Sequence, residues 1–250
     1  MRILLTGFEP FGGEAENASR EAVRACERLV FERPLLTPSG PAELVAEILP
    51  VGFRRGPERL AELVEARRPD LVLCVGEAGG RQAVTPERLA RNRLIARIPD
   101  NDGDQPSSRP LEPGASDRPS TLDADALTAA VFAAGVPAEA SDDAGGFVCN
   151  AVFWAALRLG EEHGIPAGFV HVPALRSHGS ARIGEETDGA GVSAGPASAP
   201  AGAPLTFEDL GRALREALAA VLTPSPAHVS AQAADPASQR PAPKPGMMDG

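Results

Sequence analysis

A cysteine and a histidine stand where they could form a nucleophile and its base. Cys149 follows two glycines in the stretch GGFVCNAVFWAALRLGEEH at 145–163, and an apolar pattern of helical period follows it. It therefore lies at or near a helix N-terminus, where unpaired N–H groups and the positive dipole end favour a thiolate and can hold an oxyanion. His171 lies in an apolar strand predicted over 168–172. A cysteine hydrolase requires such a pair.

Each of these residues also has an ordinary structural explanation. A free cysteine is usually a small buried hydrophobe, and a lone histidine in an apolar strand is usually a core residue. A third residue supports the chemical interpretation, because Glu87 in VTPERLARN offers a carboxylate that could orient the imidazole. The sequence thus favours acyl transfer with Cys149 as nucleophile, His171 as base and Glu87 as acid.

Two aromatic residues stand in the first glycine-rich loop. Phe8 and Phe11 belong to GFEPFGG at 7–13, after a strand predicted over 2–6. They either plug the end of the sheet or wall a small apolar pocket at its C-terminal edge, where open α/β sheets bind ligands. A second glycine-rich turn at 76–81 lacks the phosphate-loop pattern, so we expect no bound nucleotide there.

Strand and helix patterns alternate along the chain. The predicted strands are 2–6, 43–51, 71–75, 136–141 and 168–172. The predicted helices are 19–31, 57–68, 122–134, the one that begins near Cys149, and 206–222. This alternation predicts an α/β fold with an open, largely parallel twisted sheet and helices on both faces. The segment 84–98 fits a capped helix or an extended hairpin.

The chain is expected to form one domain over 1–222. The segment 176–204 is poor in large apolar residues and is predicted to be a long flexible loop. The proline-rich tail at 223–250 has almost no apolar residues and is predicted to be disordered.

Composition excludes several function classes. The 34 acidic and 24 basic residues give a formal net charge of -10, which argues against nucleic acid or an anionic membrane as partner. Cys26, Cys74 and Cys149 form no CxxC motif, so we expect no zinc or other metal site, no disulfide framework and no cofactor. Free thiols suit the reducing cytoplasm. No apolar run is long enough to span a membrane.

Six short motifs occur together in one order. They are TGFEPFGG at 6–13, VGEAGGR at 75–81, TPER at 85–88, ARIPDNDGDQP at 96–106, GGFVCN at 145–150 and FVHVP at 169–173. In this order the motifs resemble those of the pyrrolidone-carboxylate (pyroglutamyl) peptidases of the type I cysteine-peptidase family. The resemblance implies an α/β/α sandwich that removes an N-terminal pyroglutamyl residue from peptides. It also implies a triad of Glu87, Cys149 and His171.

The resemblance further implies roles for the residues around the triad. Phe8 and Phe11 would sandwich the pyrrolidone ring, and the backbone near Phe147 and Val148 would contact the lactam. The resemblance also implies that Asn17 supports the pocket loop and that Arg97 lies close to the nucleophile. Bacterial members are often tetramers, so a homo-oligomer is expected, with pyroglutamyl peptides as substrates and no cofactor.

The chain departs from the family pattern on both sides of the predicted site. Glu77 stands in VGEAGG where members more often carry an uncharged residue, and the continuation PALRSHGS after His171 lacks a common PxxPEQ-like pattern. A carboxylate near the pocket is expected to raise the pKa of the cysteine or to reshape specificity. Two rival functions stay open: a non-catalytic pyroglutamyl-binding module, and a thiol hydrolase of another small acyl amide.

Overall fold

The computed structural model describes residues 1–178, 181 and 204–222. The predicted tail at 223–250 and most of the predicted loop 176–204 lie outside the described residues. The described strands are β1 Arg2–Phe8, β2 Leu36–Thr37, β3 Gly40–Pro41, β4 Glu43–Leu49, β5 Leu71–Ala78, β6 Thr85–Pro86, β7 Leu89–Ala90, β8 Arg118–Pro119 and β9 Ala167–Pro173. The described helices are α1 Ala18–Glu32, α2 Arg55–Arg67, α3 Ala124–Ala133, α4 Val148–His163 and α5 Phe207–Leu222.

The central sheet has the strand order β4-β1-β5-β9-β6. The strands β4, β1, β5 and β9 run parallel, whereas the short β6 pairs antiparallel to β9. All residues of β5 and β9 are buried, as expected for inner strands covered on both faces. The carboxyl ends of β1, β5 and β9 therefore meet at one edge, and predicted site residues lie in or just after these strand ends.

Helices cover both faces of this sheet. The apolar stripes of α1, α3 and α5 bury against one face, and those of α2 and α4 bury against the other. Consecutive strand residues point to opposite faces, so Val75 packs under α1 and α5 while Cys74 packs under α4. The predicted fold class, an open and largely parallel sheet in an α/β/α sandwich, is confirmed.

Several boundaries predicted from the sequence are wrong at the site. The strand β1 continues to Phe8 and β5 continues to Ala78, so Phe8 and Glu77 are strand residues rather than loop residues. Segment 136–141 forms two isolated bridges, Val84 to Ala138 and Glu87 to Ser141, instead of a strand. These bridges, together with a bond from the Glu87 N–H to the Phe169 carbonyl (2.9 Å), hold 84–88 extended and exclude the helix considered there.

Side chains cap the N-termini of two helices. Asn17 caps α1, because its side chain accepts a hydrogen bond from the Ser19 N–H. Thr206 and Asp209 form a capping box at α5, with reciprocal bonds of 2.9 and 3.2 Å. Within the described residues, no helix is both long enough and apolar enough to cross a membrane.

Candidate active site

The thiol of Cys149 lies at the start of α4, as predicted. The helix begins at Val148 with Phe147 as its N-cap, so Cys149 is its second residue, and it is partly exposed. The first N–H groups of a helix have no acceptor within it, so they are available to bind an anion. A Cβ atom on Gly76 of β5 would lie 2.7 Å from the Cys149 Sγ, so only glycine allows the thiol to pack this close to the strand.

The other two cysteines, both in the described part of the chain, lie in the core. Cys26 on α1 and Cys74 on β5 are fully buried. Burial raises the pKa of each thiol to about 12. They therefore stay protonated at neutral pH, which fits a structural role for both.

The imidazole of His171 is paired with the carboxylate of Glu87. The register of β9 against β5 places His171 beside Gly76, on the same face of the sheet as α4. The distance from His171 Nδ1 to Glu87 Oε1 is 2.7 Å, and both residues are buried. Burial by itself raises the pKa of Glu87, but the bond with His171 and the charges of His171 and Arg81 outweigh it, so the pKa is lowered. The ionised carboxylate then accepts from Nδ1–H, which fixes the imidazole tautomer.

A residue that sequence reasoning missed stands behind this pair. Arg81 is buried and donates a hydrogen bond from Nη1 to Glu87 Oε1, the oxygen that also binds His171. Its Nη2 donates to the main-chain carbonyl of Asp143 at 2.8 Å. Arg81 is the last residue of the motif VGEAGGR. A charged residue at the end of a glycine-rich turn is the sequence signal that could have identified it.

A cavity that opens to solvent lies at this edge of the sheet. It is lined by Phe8, Phe11, Asn17, Val51, Glu77, Ala144, Gly145, Phe147, Val148, Cys149 and His171. Eight of the ten residues that the sequence singled out thus meet at one cavity, and Glu87 lies buried behind His171. Arg97 is exposed and is not among the lining residues; its carbonyl accepts a bond of 2.7 Å from the Gln105 side chain.

Aromatic rings form one wall of the cavity. The rings of Phe11 and Phe147 are 5.8 Å apart between centroids, and Phe53 packs edge-on against Phe147 at 5.2 Å. The sequence did not single out Phe53. Its position depends on Asp100, whose carboxylate accepts from the Phe53 N–H at 2.8 Å.

The Glu77 carboxylate is not an unpaired charge. Arg176 donates two hydrogen bonds to it, both of 2.8 Å, and the Ala18 N–H at the start of α1 donates a third of 2.5 Å. Arg176 also contacts Glu14 at 3.3 Å. The sequence had placed Arg176 at the start of a flexible loop, and this is wrong for Arg176, whose side chain is 4% exposed.

Asn17 has the position that a support of the pocket loop requires. Its Oδ1 accepts from the Ser19 N–H at 3.0 Å, and its Nδ2 donates to the Glu9 carbonyl at 3.1 Å. It thereby ties the loop after β1 to the first turn of α1. Within the described residues, no group of three or more histidine, cysteine and acidic side chains could hold a metal ion.

Comparisons with known proteins agree with this geometry. The model of the pyroglutamyl peptidase family matches residues 1–193. A pyrrolidone-carboxylate peptidase of Gloeobacter violaceus is 47% identical over 178 residues, which are 70% of this chain and 82% of that protein. One from Streptococcus pyogenes is 42% identical over 176 residues, 69% of this chain and 78% of that protein.

Solved structures show the same likeness. Pyroglutamyl peptidase I from Bacillus amyloliquefaciens has a TM-score of 0.69 and 32% identity, covering 88% of this chain and 94% of that one. A pyrrolidone carboxyl peptidase from Pyrococcus furiosus has a TM-score of 0.70 and 31% identity, covering 89% of this chain and 98% of that one.

Proposed function

The chain belongs to the pyroglutamyl peptidase family, and from this we infer that it is a cysteine peptidase that removes an N-terminal pyroglutamyl residue from peptides. One observation about the cavity supports this catalytic function. A single cavity is lined by a thiol at a helix start, an imidazole bonded to a buried carboxylate, and phenyl rings. A module that only binds pyroglutamate needs the rings but not the other groups, so the cavity favours catalysis over that rival.

We propose that Cys149 is the nucleophile. Its thiolate attacks the carbonyl carbon between pyroglutamate and the next residue, and N–H groups in the first turn of α4 hold the developing oxyanion. Collapse of this intermediate breaks the C–N bond and leaves a thioester. Val148, which also lines the cavity, belongs to the same helical turn.

His171 transfers protons in both halves of the reaction. As an imidazolium it protonates the departing amine, and as an imidazole it then takes a proton from the water that hydrolyses the thioester. Glu87 holds Nδ1–H at 2.7 Å, so Nε2 is the nitrogen that exchanges protons. The carboxylate also stabilises the imidazolium while it exists.

The cavity suits a neutral ring. Pyroglutamate is a five-membered lactam without an ammonium group, and Phe8, Phe11 and Phe147 give it apolar walls. An N-terminal glutamine or glutamate would bring a charged amine into this wall, and an unpaired buried charge is costly. Because Arg176 already pairs with Glu77, that carboxylate is not available to compensate such an amine.

We also propose the wider setting of the enzyme. The peptidase domain spans 1–222, and the chain forms a homo-oligomer, a tetramer by family resemblance. It acts in the cytoplasm, a setting supported by its three cysteines, all in the described part of the chain and none of them in a disulfide. The formal charge of -10 supports a role without nucleic acid or anionic membrane as partner.

The test is release of a chromogenic amine from its pyroglutamyl amide. We expect turnover by the wild type, loss of at least about 10³-fold in Cys149→Ala, and near wild-type turnover in Cys26→Ala, the matched control in the core. Prolyl and glutaminyl amides distinguish the second rival, a hydrolase of another acyl amide, because the proposal requires preference for the pyroglutamyl amide. Turnover that survives in Cys149→Ala contradicts the mechanism.

A further inference from the structure

The buried cation Arg81 is not used by the mechanism above. Its side chain is 5% exposed, and that of its partner Glu87 is fully buried. Arg81 follows the end of β5, six residues before Glu87, so the turn between β5 and β6 folds the guanidinium back onto the carboxylate. A buried cation that is hydrogen-bonded to Glu87 must affect the protonation of the groups around that carboxylate.

Arg81 makes two contacts that bring separate parts of the site together. Its Nη1 and the Nδ1 of His171 both bind Glu87 Oε1, so the guanidinium and the imidazole approach the same oxygen. Its Nη2 donates to the Asp143 carbonyl at 2.8 Å, in the loop that leads to Gly145 and the nucleophile helix. The planar fork of arginine makes these bonds from two nitrogens in a fixed geometry, whereas a lysine offers a single nitrogen on a flexible stem.

The charge balance of the site depends on Arg81. With Cys149 as thiolate and His171 as imidazolium, the charges of Cys149, His171, Glu87 and Arg81 sum to zero. Without Arg81 the same state carries one net negative charge in a buried site, which disfavours loss of each further proton. An opposite charge within about 4–6 Å shifts a pKa by roughly 1–3 units.

Other charged groups near Glu87 are already paired elsewhere. The carboxylate of Asp143 accepts from the Gly145 N–H at 2.9 Å and contacts Arg93 at 3.3 Å. Glu77, which lines the cavity, is paired with Arg176. Arg88, next to Glu87 in sequence, turns away to Asp125 on α3. Among the described residues, Arg81 is thus the arginine that hydrogen-bonds to the Glu87 carboxylate, beside His171.

We propose that Arg81 is a positioning residue that holds Glu87 against His171 and lowers the pH range in which Cys149 and His171 form a thiolate–imidazolium pair. This rests on the proposed function, since it assumes that triad. The guanidinium fork of Arg81 fixes the position of the Glu87 carboxylate. Its positive charge sets the pH range in which the thiolate–imidazolium pair forms.

Two variants separate charge from geometry. Arg81→Met removes both, Arg81→Lys keeps the charge and loses the fork, and Arg88→Met is the matched control at a partly exposed arginine. We measure kcat/KM for the pyroglutamyl amide against pH. We also measure the pH dependence of Cys149 alkylation by iodoacetamide, read by mass spectrometry; this reports thiolate formation without turnover.

We expect both limbs of the pH profile and the alkylation midpoint to move up by about one unit in Arg81→Met. They should stay at wild-type positions in Arg81→Lys and Arg88→Met. Arg81→Lys should lower kcat about tenfold with little change in KM, because a single ammonium on a flexible stem does not hold Glu87 and the Asp143 carbonyl in the fixed geometry of the fork.

A purely structural role would lower the rate of Arg81→Met without moving either limb, and that result overturns the proposal. If Arg81→Met does not fold, Arg81→Lys still decides: a shifted limb or an unchanged kcat contradicts the proposal. Turnover that survives in Cys149→Ala would instead show failure of the proposed function.

Discussion

Replacing Arg176 by methionine removes the partner of a carboxylate that has almost no access to solvent. The side chains of Glu77 and Arg176 are 1% and 4% exposed, so solvent does not screen their interaction. In Arg176→Met the carboxylate keeps the bond from the Ala18 N–H and loses two bonds of 2.8 Å. Breaking one side of a buried ion pair costs about 3–5 kcal/mol, whereas replacing both sides is often neutral.

These values predict an order among three variants. We expect Arg176→Met to lower the free energy of unfolding by about 3 kcal/mol. Glu77→Gln should cost less, because Arg176 keeps its contact with Glu14 at 3.3 Å. The double variant Glu77→Gln/Arg176→Met should lie within about 1 kcal/mol of the wild type, because it leaves no unpaired buried charge.

The assay is urea unfolding followed by circular dichroism, with thermal melting as a second measurement. A loss of 3 kcal/mol corresponds to a fall of about 6–12 °C in Tm for a chain of this size. Arg158→Met is the matched control, since Arg158 pairs with Glu162 at 2.8 Å on the exposed face of α4. That variant should cost less than about 0.5 kcal/mol.

Two results would refute this reasoning. A loss below about 1 kcal/mol in Arg176→Met would mean that the carboxylate finds other compensation. A double variant as unstable as the sum of the two single variants would mean that the two side chains are not energetically coupled.

Two further substitutions test the site itself. Glu87→Gln should lower kcat/KM by about 10²-fold or more, because an amide cannot balance the imidazolium; a value within fivefold of the wild type would contradict this. Because the folded-state pKa of Glu87 is lowered, its carboxylate stabilises the fold above about pH 4.3, its ordinary pKa. That stabilisation is lost as the pH falls further. In urea unfolding, the free energy of unfolding of Glu87→Gln should therefore fall less between about pH 5 and 3 than that of the wild type. Gly76→Ala should lower kcat/KM by about 10²-fold, since its Cβ would lie 2.7 Å from the Cys149 Sγ; unchanged kinetics would show that the thiol need not lie against β5.

Local patterns predicted most of the framework. The helical period after Cys149, the cap at Asn17 and the apolar run of β5 each act within a few residues. Neighbours in sequence decide such features, so they appear correctly without knowledge of the fold. The strand–helix alternation then brought the carboxyl ends of β1, β5 and β9 to one edge, as parallel pairing requires.

Prediction stayed open or stopped short where distant partners decide the local structure. Residues 84–88 are extended because 137–141 and β9 supply their hydrogen bonds, and no pattern within 84–98 contains that information. β5 continues to Ala78 because β9 pairs with it up to Pro173. In both cases the partner lies more than fifty residues away in sequence.

The sequence by itself determined the chemistry of this protein. Six ordered motifs specify a thiol at a helix start, a histidine near the end of an apolar strand and two phenyl rings, and each depends on residue identity and short spacing. Tertiary structure decided the electrostatics. Arg81 compensates Glu87, and Arg176 neutralises a carboxylate 99 residues earlier in the chain. Charge pairing depends on distance and burial, and only the packed sheet and its loops set these for residues that are remote in sequence.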